Sequence, residues 1–516
     1  MLKKAIFILL TLSLCATYMV SCNTQGEDPN DKAPVYPMGD ADGNGEVNEA
    51  DLSLFKAYLA GEAREIHYEF CDLDGSFKVD ESDAEILESY LNGETEELSC
   101  IAFGRDDWDI TNKLEDLGIN NLKRWGDDKI ETLRARNPYD MIVSNGLVMV
   151  SGGNYQDNKG PVVINGYGRD MYEPVVMGTL ATEQVNRFYD CGDFIVALAI
   201  DPRTWQYGDV YLKPAESDSW VTRGQVLVDN IHCYDMIEFN GMYFFCGSNI
   251  GYKMIDGKRI ELSKSSVYRV YGELSDSMTR NDFKELKVVN KYGDVISFDS
   301  VLGEFDNQGE TVYYSMGVPR FYEFFKFKGK LYAFYYNQYS DRYDEESNFN
   351  GLYVYDEKKD RFVYDDTLNF KDLIDIMSGS VQDAEKIQHD FEWGDRYYFV
   401  KDGLYCTEDF ITYKEKKIPE YKDYRVHDVI FRGDAAYVLA SFEQKSGDFT
   451  NVVFETFDFE EFRPLFHFDT KLFARSFELC NGEFYFGLGF TVSTNTDAIS
   501  ARYSECGRIY RYTYYR

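Results

Sequence analysis

Basic residues, histidine and proline are the scarce components of this sequence. Lysine and arginine number 54 against 90 aspartates and glutamates, a formal net charge of −36, which excludes a nucleic-acid partner and repels anionic lipid headgroups. The five histidines and ten cysteines form no Cys-x-x-Cys pair and no cluster with zinc spacing, so a transition-metal site is not expected. Only 11 prolines occur, and no Pro/Ser-rich linker interrupts the strand-like text of the C-terminal part, which disfavours an array of separate β-sandwiches. No GxSxG elbow, HExxH helix or phosphate-cradling glycine loop is present, so nothing in the motifs signals catalysis.

What is present begins with an export signal. MLKKAIFILLTLSLCATYMVSCN places Lys3 and Lys4 before an apolar stretch too short to span a bilayer, and ends on Ser21-Cys22. Residues 1–21 read as a secretory signal. Met19-Val20-Ser21-Cys22 resembles a bacterial lipobox, which implies lipidation of Cys22; ordinary signal-peptidase cleavage is the alternative. The polar, acidic residues 22–37 read as a tether, and Asn23 after the cysteine favours the outer membrane or cell surface.

Residues 39–61 place oxygen-bearing side chains where a calcium loop needs them and then run into an amphipathic helix. Asp40, Asp42, Asn44 and Asp51 take positions 1, 3, 5 and 12 of an EF-hand-type loop, Glu46 offers its carbonyl at position 7, and Asn48 stands at position 9. Gly45 meets the positive φ of position 6. A second copy follows, with Asp72, Asp74, Ser76, Lys78 (by its carbonyl), Asp80 and Asp83 in the matching places, but Phe77 replaces the glycine. Leu52, Phe55 and Leu59, then Ile86, Leu87, Tyr90 and Leu91, give each loop a helix with one apolar stripe, and the two stripes are expected to pack together.

This duplication, with aspartate at position 12 and the endings AYLAG and SYLNG, resembles a type I dockerin over residues 38–93. The resemblance implies Ca²⁺ in both loops and a cohesin-like protein partner, contacted through Glu49 and Ala50 in one repeat and Glu81 and Ser82 in the other. It also implies a role in polysaccharide capture or breakdown. Calcium loss is expected to unfold residues 38–98 while the rest stays folded. Cys71 and Cys100 are candidates for a staple in this module, and Cys233 and Cys246 for a diagonal pair in a hairpin.

After a mixed, charged connecting segment, residues 99–139, the text from 140 to 516 reads as strands. Seven similar units align on Gly146, Gly192, Gly241, Gly329, Gly394, Gly433 and Gly482, mostly forty to fifty residues apart. Asn145-Gly146, Asn240-Gly241 and Asn481-Gly482 specify two-residue hairpins. The reading is a mainly β chain: a β-propeller, seven blades preferred with six or eight as alternatives, preceded by a small all-α calcium-binding module. The long gap before Gly329 holds either an insertion or a diverged blade.

In such a ring the residues before each innermost strand line the channel mouth. Those positions carry His389 with Asp390, His427 with Asp428, and Arg475, with Arg187 and Asp235 nearby. Two His-Asp pairs in adjacent units suit a ligand, a metal or acid-base work; tying neighbouring blades together is the structural alternative. Tyr335, Tyr336, Tyr339 and Tyr343 are candidates for stacking on a sugar ring. The functional expectation is a surface lipoprotein whose propeller binds glycan or protein, the alternative being a propeller glycoside hydrolase or lyase.

Overall fold

Seven of the nine sheets among the described residues form a series along the chain, each opened by a tight hairpin; all are antiparallel except the fourth, where Lys287–Val289 lies parallel to Arg361–Tyr364. The computed structural model describes residues 37–514 apart from 75–78, 99–106, 121–136, 154–161, 199–209, 221–230, 300–301, 308–309, 316–319, 337–348, 378–388, 490–503 and a few single positions. Cys22, Ser76, Lys78, Cys100, Tyr339 and Tyr343 lie outside the described residues.

The inner strands are Met141–Ser144, Phe188–Asp190, Ile231–Phe239, Arg320–Phe327, His389–Trp393, Arg425–Arg432 and Ala474–Cys480, which number blades 1 to 7. Each turns back at one of the seven glycines. Asn145 and Gly146 have φ of 52° and 68°, Asn240 and Gly241 52° and 71°, Asn481 and Gly482 48° and 77°, as a hairpin turn that follows strand twist requires. The ring is therefore a seven-bladed propeller. The gap before Gly329 is an insertion: blade 3 extends a long hairpin, Met242–Ile255 with Lys258–Tyr271, and a separate two-stranded hairpin, Leu302–Asn307 with Glu310–Ser315, follows it.

The outer turns of blades 5 and 6 repeat a second device. Thr407 Oγ1 accepts from the Phe410 N–H at 2.9 Å while Asp409 Oδ1 accepts from Ile411 and Thr412. Thr456, Phe459 and Asp458 make the same turn in blade 6. Phe410 and Phe459 both sit at φ 55°, an unfavourable backbone for a bulky residue. Each ring is 1% exposed or less, and burying a phenylalanine is worth about 1.5–3 kcal/mol, which offsets a backbone strain of similar size.

Ring closure uses the segment between the two modules. Glu115–Ile119 forms the outer strand of blade 7, antiparallel to Arg508–Thr513. Arg511, 3% exposed, donates to Glu115 Oε2 at 2.6 and 3.0 Å and to the Gly168 carbonyl at 3.0 Å.

The N-terminal module is two helices, α1 (Glu49–Leu59) and α2 (Glu81–Leu91). Their buried faces, Leu52 and Phe55 against Ala84 and Leu87, meet as the stripes demand. The same core continues into the propeller through residues such as Ile430, Leu479 and Tyr512 of blades 6 and 7. Polar contacts hold the seam. Glu65 Oε2 accepts from the Gly146 N–H at 2.6 Å, the Ile66 N–H donates to Asn481 Oδ1 at 3.4 Å, and Arg169 donates to the Asn481 carbonyl at 2.6 Å while covering the Tyr68 ring at 4.8 Å. Gly146 and Asn481 are inner-turn residues, so the module sits on the turn face of blades 1 and 7. The expectation of an independently unfolding module does not fit a shared core. Among the described residues no helix is long and apolar enough to cross a membrane.

Candidate metal centre and propeller channel

In the first loop the chain folds around its own carboxylates. Asp51 Oδ1 accepts from the N–H groups of Ala41 at 2.8 Å and Asp42 at 3.1 Å, and its Oδ2 accepts from Asn48 at 2.8 Å. Asp40 accepts from Asn44 at 3.1 Å and Gly45 at 2.8 Å. Asn44 donates its amide to Asp42 at 2.8 Å and accepts from the Glu46 N–H at 2.8 Å. The second loop repeats this geometry: Asp83 Oδ1 accepts from Leu73 at 2.6 Å and Asp74 at 3.0 Å, and Oδ2 from Asp80 at 2.9 Å.

The position-9 residues have a further task. Asn48 and Asp80 are the N-caps of α1 and α2, accepting from Ala50 at 2.8 Å and Ser82 at 3.0 Å, and Asp51 and Asp83 complete both capping boxes. Aspartate at position 12 is thus also a helix-start residue. Gly45 at φ 87° has open space where a side chain would stand, so its backbone conformation alone calls for glycine.

Asp40, Asp42 and Asp51 bring carboxylate oxygens within 4.8 Å of one another, and Asp72, Asp74 and Asp83 do the same. Two like charges at that distance repel by about 3 kcal/mol in a semi-polar surrounding. Asp40, Asp51 and Asp83 are fully buried, which raises the cost, and burial pushes the Asp83 carboxyl above its usual range. All-oxygen donors, several of them anionic, fit a hard divalent cation. Bound calcium would supply the compensating charge, held by Asp40, Asp42, Asn44, Glu46 and Asp51 in the first loop and by Asp72, Asp74 and Asp83 among the described residues of the second.

The channel is built on one register. Counted back from the inner turn, each blade offers one polar residue at the same level: Asp140, Arg187, Asp235, Glu323, His389, Asp428 and Ser476. Three of the carboxylates link blades. Asp140 Oδ2 accepts from the Phe188 N–H at 2.7 Å, Asp235 Oδ2 from Phe324 at 2.7 Å, and Asp428 Oδ2 from Phe477 at 2.9 Å, each in the next blade.

His389 and Asp428 are equivalent residues that meet, Nε2 to Oδ1 at 2.7 Å, with Asp140 at 3.7 Å. Burial lowers the His389 pKa, but the two carboxylates outweigh it and the imidazole is shifted up. Burial raises Asp140 to about 6 against the pull of His389. His427 does not join them. A β-bulge between Val426 and Asp428 sets it apart; its Nε2 lies 2.7 Å from Ser441 Oγ and its ring stacks on Phe473 at 4.3 Å. Burial first, then Arg475 and Arg425, lower its pKa to about 3. Arg475 turns aside as well, covering the Tyr139 ring at 4.7 Å.

Asp390 belongs to another cluster. It holds Arg187 Nη1 at 2.6 Å and accepts from the Tyr397 hydroxyl, while Tyr189 donates to Asp235 at 2.7 Å. Asp140, Glu323, Tyr189 and Tyr397 were not among the residues expected from sequence. A signal existed for two of them: Asp140 and Glu323, like Asp235 and Ser476, stand six residues before a turn glycine. Tyr335, expected at an exposed loop, is instead a core residue, 3% exposed. Cys233 and Cys246 enter two different hydrophobic cores on either side of blade 3, so they do not face each other.

Residues 38–92 match the dockerin type I domain, a family whose members bind calcium and cohesins. No curated protein matches the sequence. Among solved structures, the propeller is similar to the RRP9 WD40 repeats (7% identity over 73% of this chain and 94% of that one, TM-score 0.32). It is also similar to a puromycin-hydrolyzing peptidase of Mycobacterium tuberculosis (9%, 70% and 60%, 0.34) and to an α-L-arabinanase of Penicillium chrysogenum (10%, 73% and 92%, 0.29). At such identities and scores the neighbours say nothing about activity.

Proposed function

We propose that this chain is exported, anchored at a bacterial cell surface by lipid on Cys22, and serves polysaccharide capture: residues 38–98 bind Ca²⁺ and offer a surface to a cohesin-like protein, and the propeller holds glycan or protein. The observation that carries the reading is the pair of acidic triads, Asp40-Asp42-Asp51 and Asp72-Asp74-Asp83, set at corresponding positions of the two repeats of a dockerin-type module. The module sits on the turn residues of blades 1 and 7, which leaves the turn face of blades 2 to 5 as well as the strand-start face for a ligand or partner.

Glycoside hydrolysis is the weaker reading. It needs two carboxyl groups free to address a scissile bond, whereas Asp140, Asp235 and Asp428 spend an oxygen each on a neighbouring blade. Titration calorimetry of the full chain with Ca²⁺ tests the module; absence of heat at millimolar Ca²⁺ defeats it. Retention on a glycan panel without released sugar supports capture, and turnover supports hydrolysis.

A further inference from the structure

A cavity of about 420 Å³ lies at the propeller centre between blades 2 and 5, on the turn side of the polar layer. Its volume falls in the range of about 300–1,000 Å³ common to small-molecule sites. The floor is built rather than incidental. Arg187 is pinned by Asp390 at 2.6 Å and by Glu323 at 3.9 Å, and two hydroxyls, Tyr189 to Asp235 and Tyr397 to Asp390, complete it. Every cation–carboxylate demand in that floor is met internally, so Arg187 is not on offer to an anionic ligand.

The rim carries the opposite message to a phosphate or sulfate site. Five carboxylates and two cations line the whole cavity, and the rim cation Lys326 lies 3.9 Å from Glu238. Carboxylate oxygens accept from sugar hydroxyls and repel uronate or sulfate groups. The rings of Phe324 and Tyr397, 1% and 2% exposed, are packed into the cores between blades and Phe391 stacks on Tyr398, so the polar groups of the lining rather than aromatic faces meet the ligand. Blades 2 to 5 wall the cavity laterally, so a ligand enters end-on from the turn face. On that face Asp190 borders both this cavity and a second one, of about 220 Å³, that is lined by Glu65 and His67 of the N-terminal module.

We infer that this central cavity binds the terminal units of a neutral oligosaccharide, and rejects acidic ones, at a site facing the same side as the calcium module. The inference rests on the capture reading and sharpens it to one place and one class of glycan.

The test is titration calorimetry of the full chain, calcium-loaded, with neutral gluco-, xylo-, arabino-, manno- and galacto-oligosaccharides and with oligogalacturonate. Two variants accompany it: Glu392→Trp, an exposed rim position that would plug the mouth, and Tyr397→Phe, which removes a floor hydroxyl. At least one neutral oligosaccharide should bind, at least tenfold more tightly than oligogalacturonate, and both variants should weaken it at least tenfold. Wild-type affinity in a folded Glu392→Trp protein overturns the site while leaving capture intact; this variant decides alone if Tyr397→Phe fails to fold. Preference for oligogalacturonate overturns the neutral class. Binding of none of these sugars overturns the site and glycan capture together.

Discussion

Lys56 and Glu88 occupy the same place in their two repeats, 32 residues apart, yet carry opposite charges and meet across the module at 2.9 Å. The pseudo-twofold relation of α1 and α2 passes between them, so the pair marks where the duplicated halves stop being interchangeable. Both side chains are about half exposed, which limits what the contact contributes to well under 1 kcal/mol.

Lys56→Glu should cost the module a few tenths of a kcal/mol, and adding Glu88→Lys should recover most of it. A double-mutant cycle on urea melts would read the coupling. No coupling would mean the crossing contact is energetically silent.

Calcium should stabilise the whole chain, not one end of it. Because α1, α2 and blades 6 and 7 share a hydrophobic core, ion saturation at a hundred times Kd would add about 2.7 kcal/mol to the cooperative unit. Calorimetric scans with calcium and with chelator should show the main transition moving. A low-temperature transition appearing alone, with the main one fixed, would restore an independent module.

Asp428 serves three partners at once: the N–H groups of Val429 and Phe477 and the His389 ring. Asp428→Ala leaves two buried donors without an acceptor and should destabilise by about 2–4 kcal/mol. Asp428→Asn keeps one acceptor oxygen and should cost less; the order of the two variants in a denaturant series checks the assignment.

The two channel-side histidines respond to pH in opposite senses. His427 is held neutral, its pKa lowered to about 3 by burial, so between that value and its ordinary range the unfolded chain binds the extra proton and stability falls as pH falls. The slope is at most about 1.4 kcal/mol per pH unit. His427→Gln should flatten it relative to wild type. His389 is raised by Asp428 and Asp140, so its contribution is fully present below the ordinary histidine pKa and is lost as pH rises through the folded value. His389→Gln should therefore cost more at pH 5 than at pH 8.

The calcium loops and inner hairpins were legible because their chemistry is local: Asp40 to Asp51 is one short loop, and Asn145-Gly146 writes its own turn. His389 and His427 show where local text misleads. Both precede an aspartate, but His389 stands five residues before its turn glycine and His427 six, so the histidine of one blade is equivalent to the aspartate of the next. The sequence reads residues 101–140 as a charged connector able to contribute a strand or short helix to the propeller; which of the two, and where, is set by Arg511 and Arg508, whose partnership no nearby residue announces.

That last strand has a temporal consequence. Glu115 and Arg511 are 396 residues apart, a separation whose loop-closure entropy alone is about 5 kcal/mol. Blade 7 cannot be completed until the strand Arg508–Thr513 has been synthesised and has found its early partner. Until then the molecule is an unlatched crescent with two exposed strand edges, and the pairing of Glu115–Ile119 with Arg508–Thr513 decides whether it locks or stays open to aggregation.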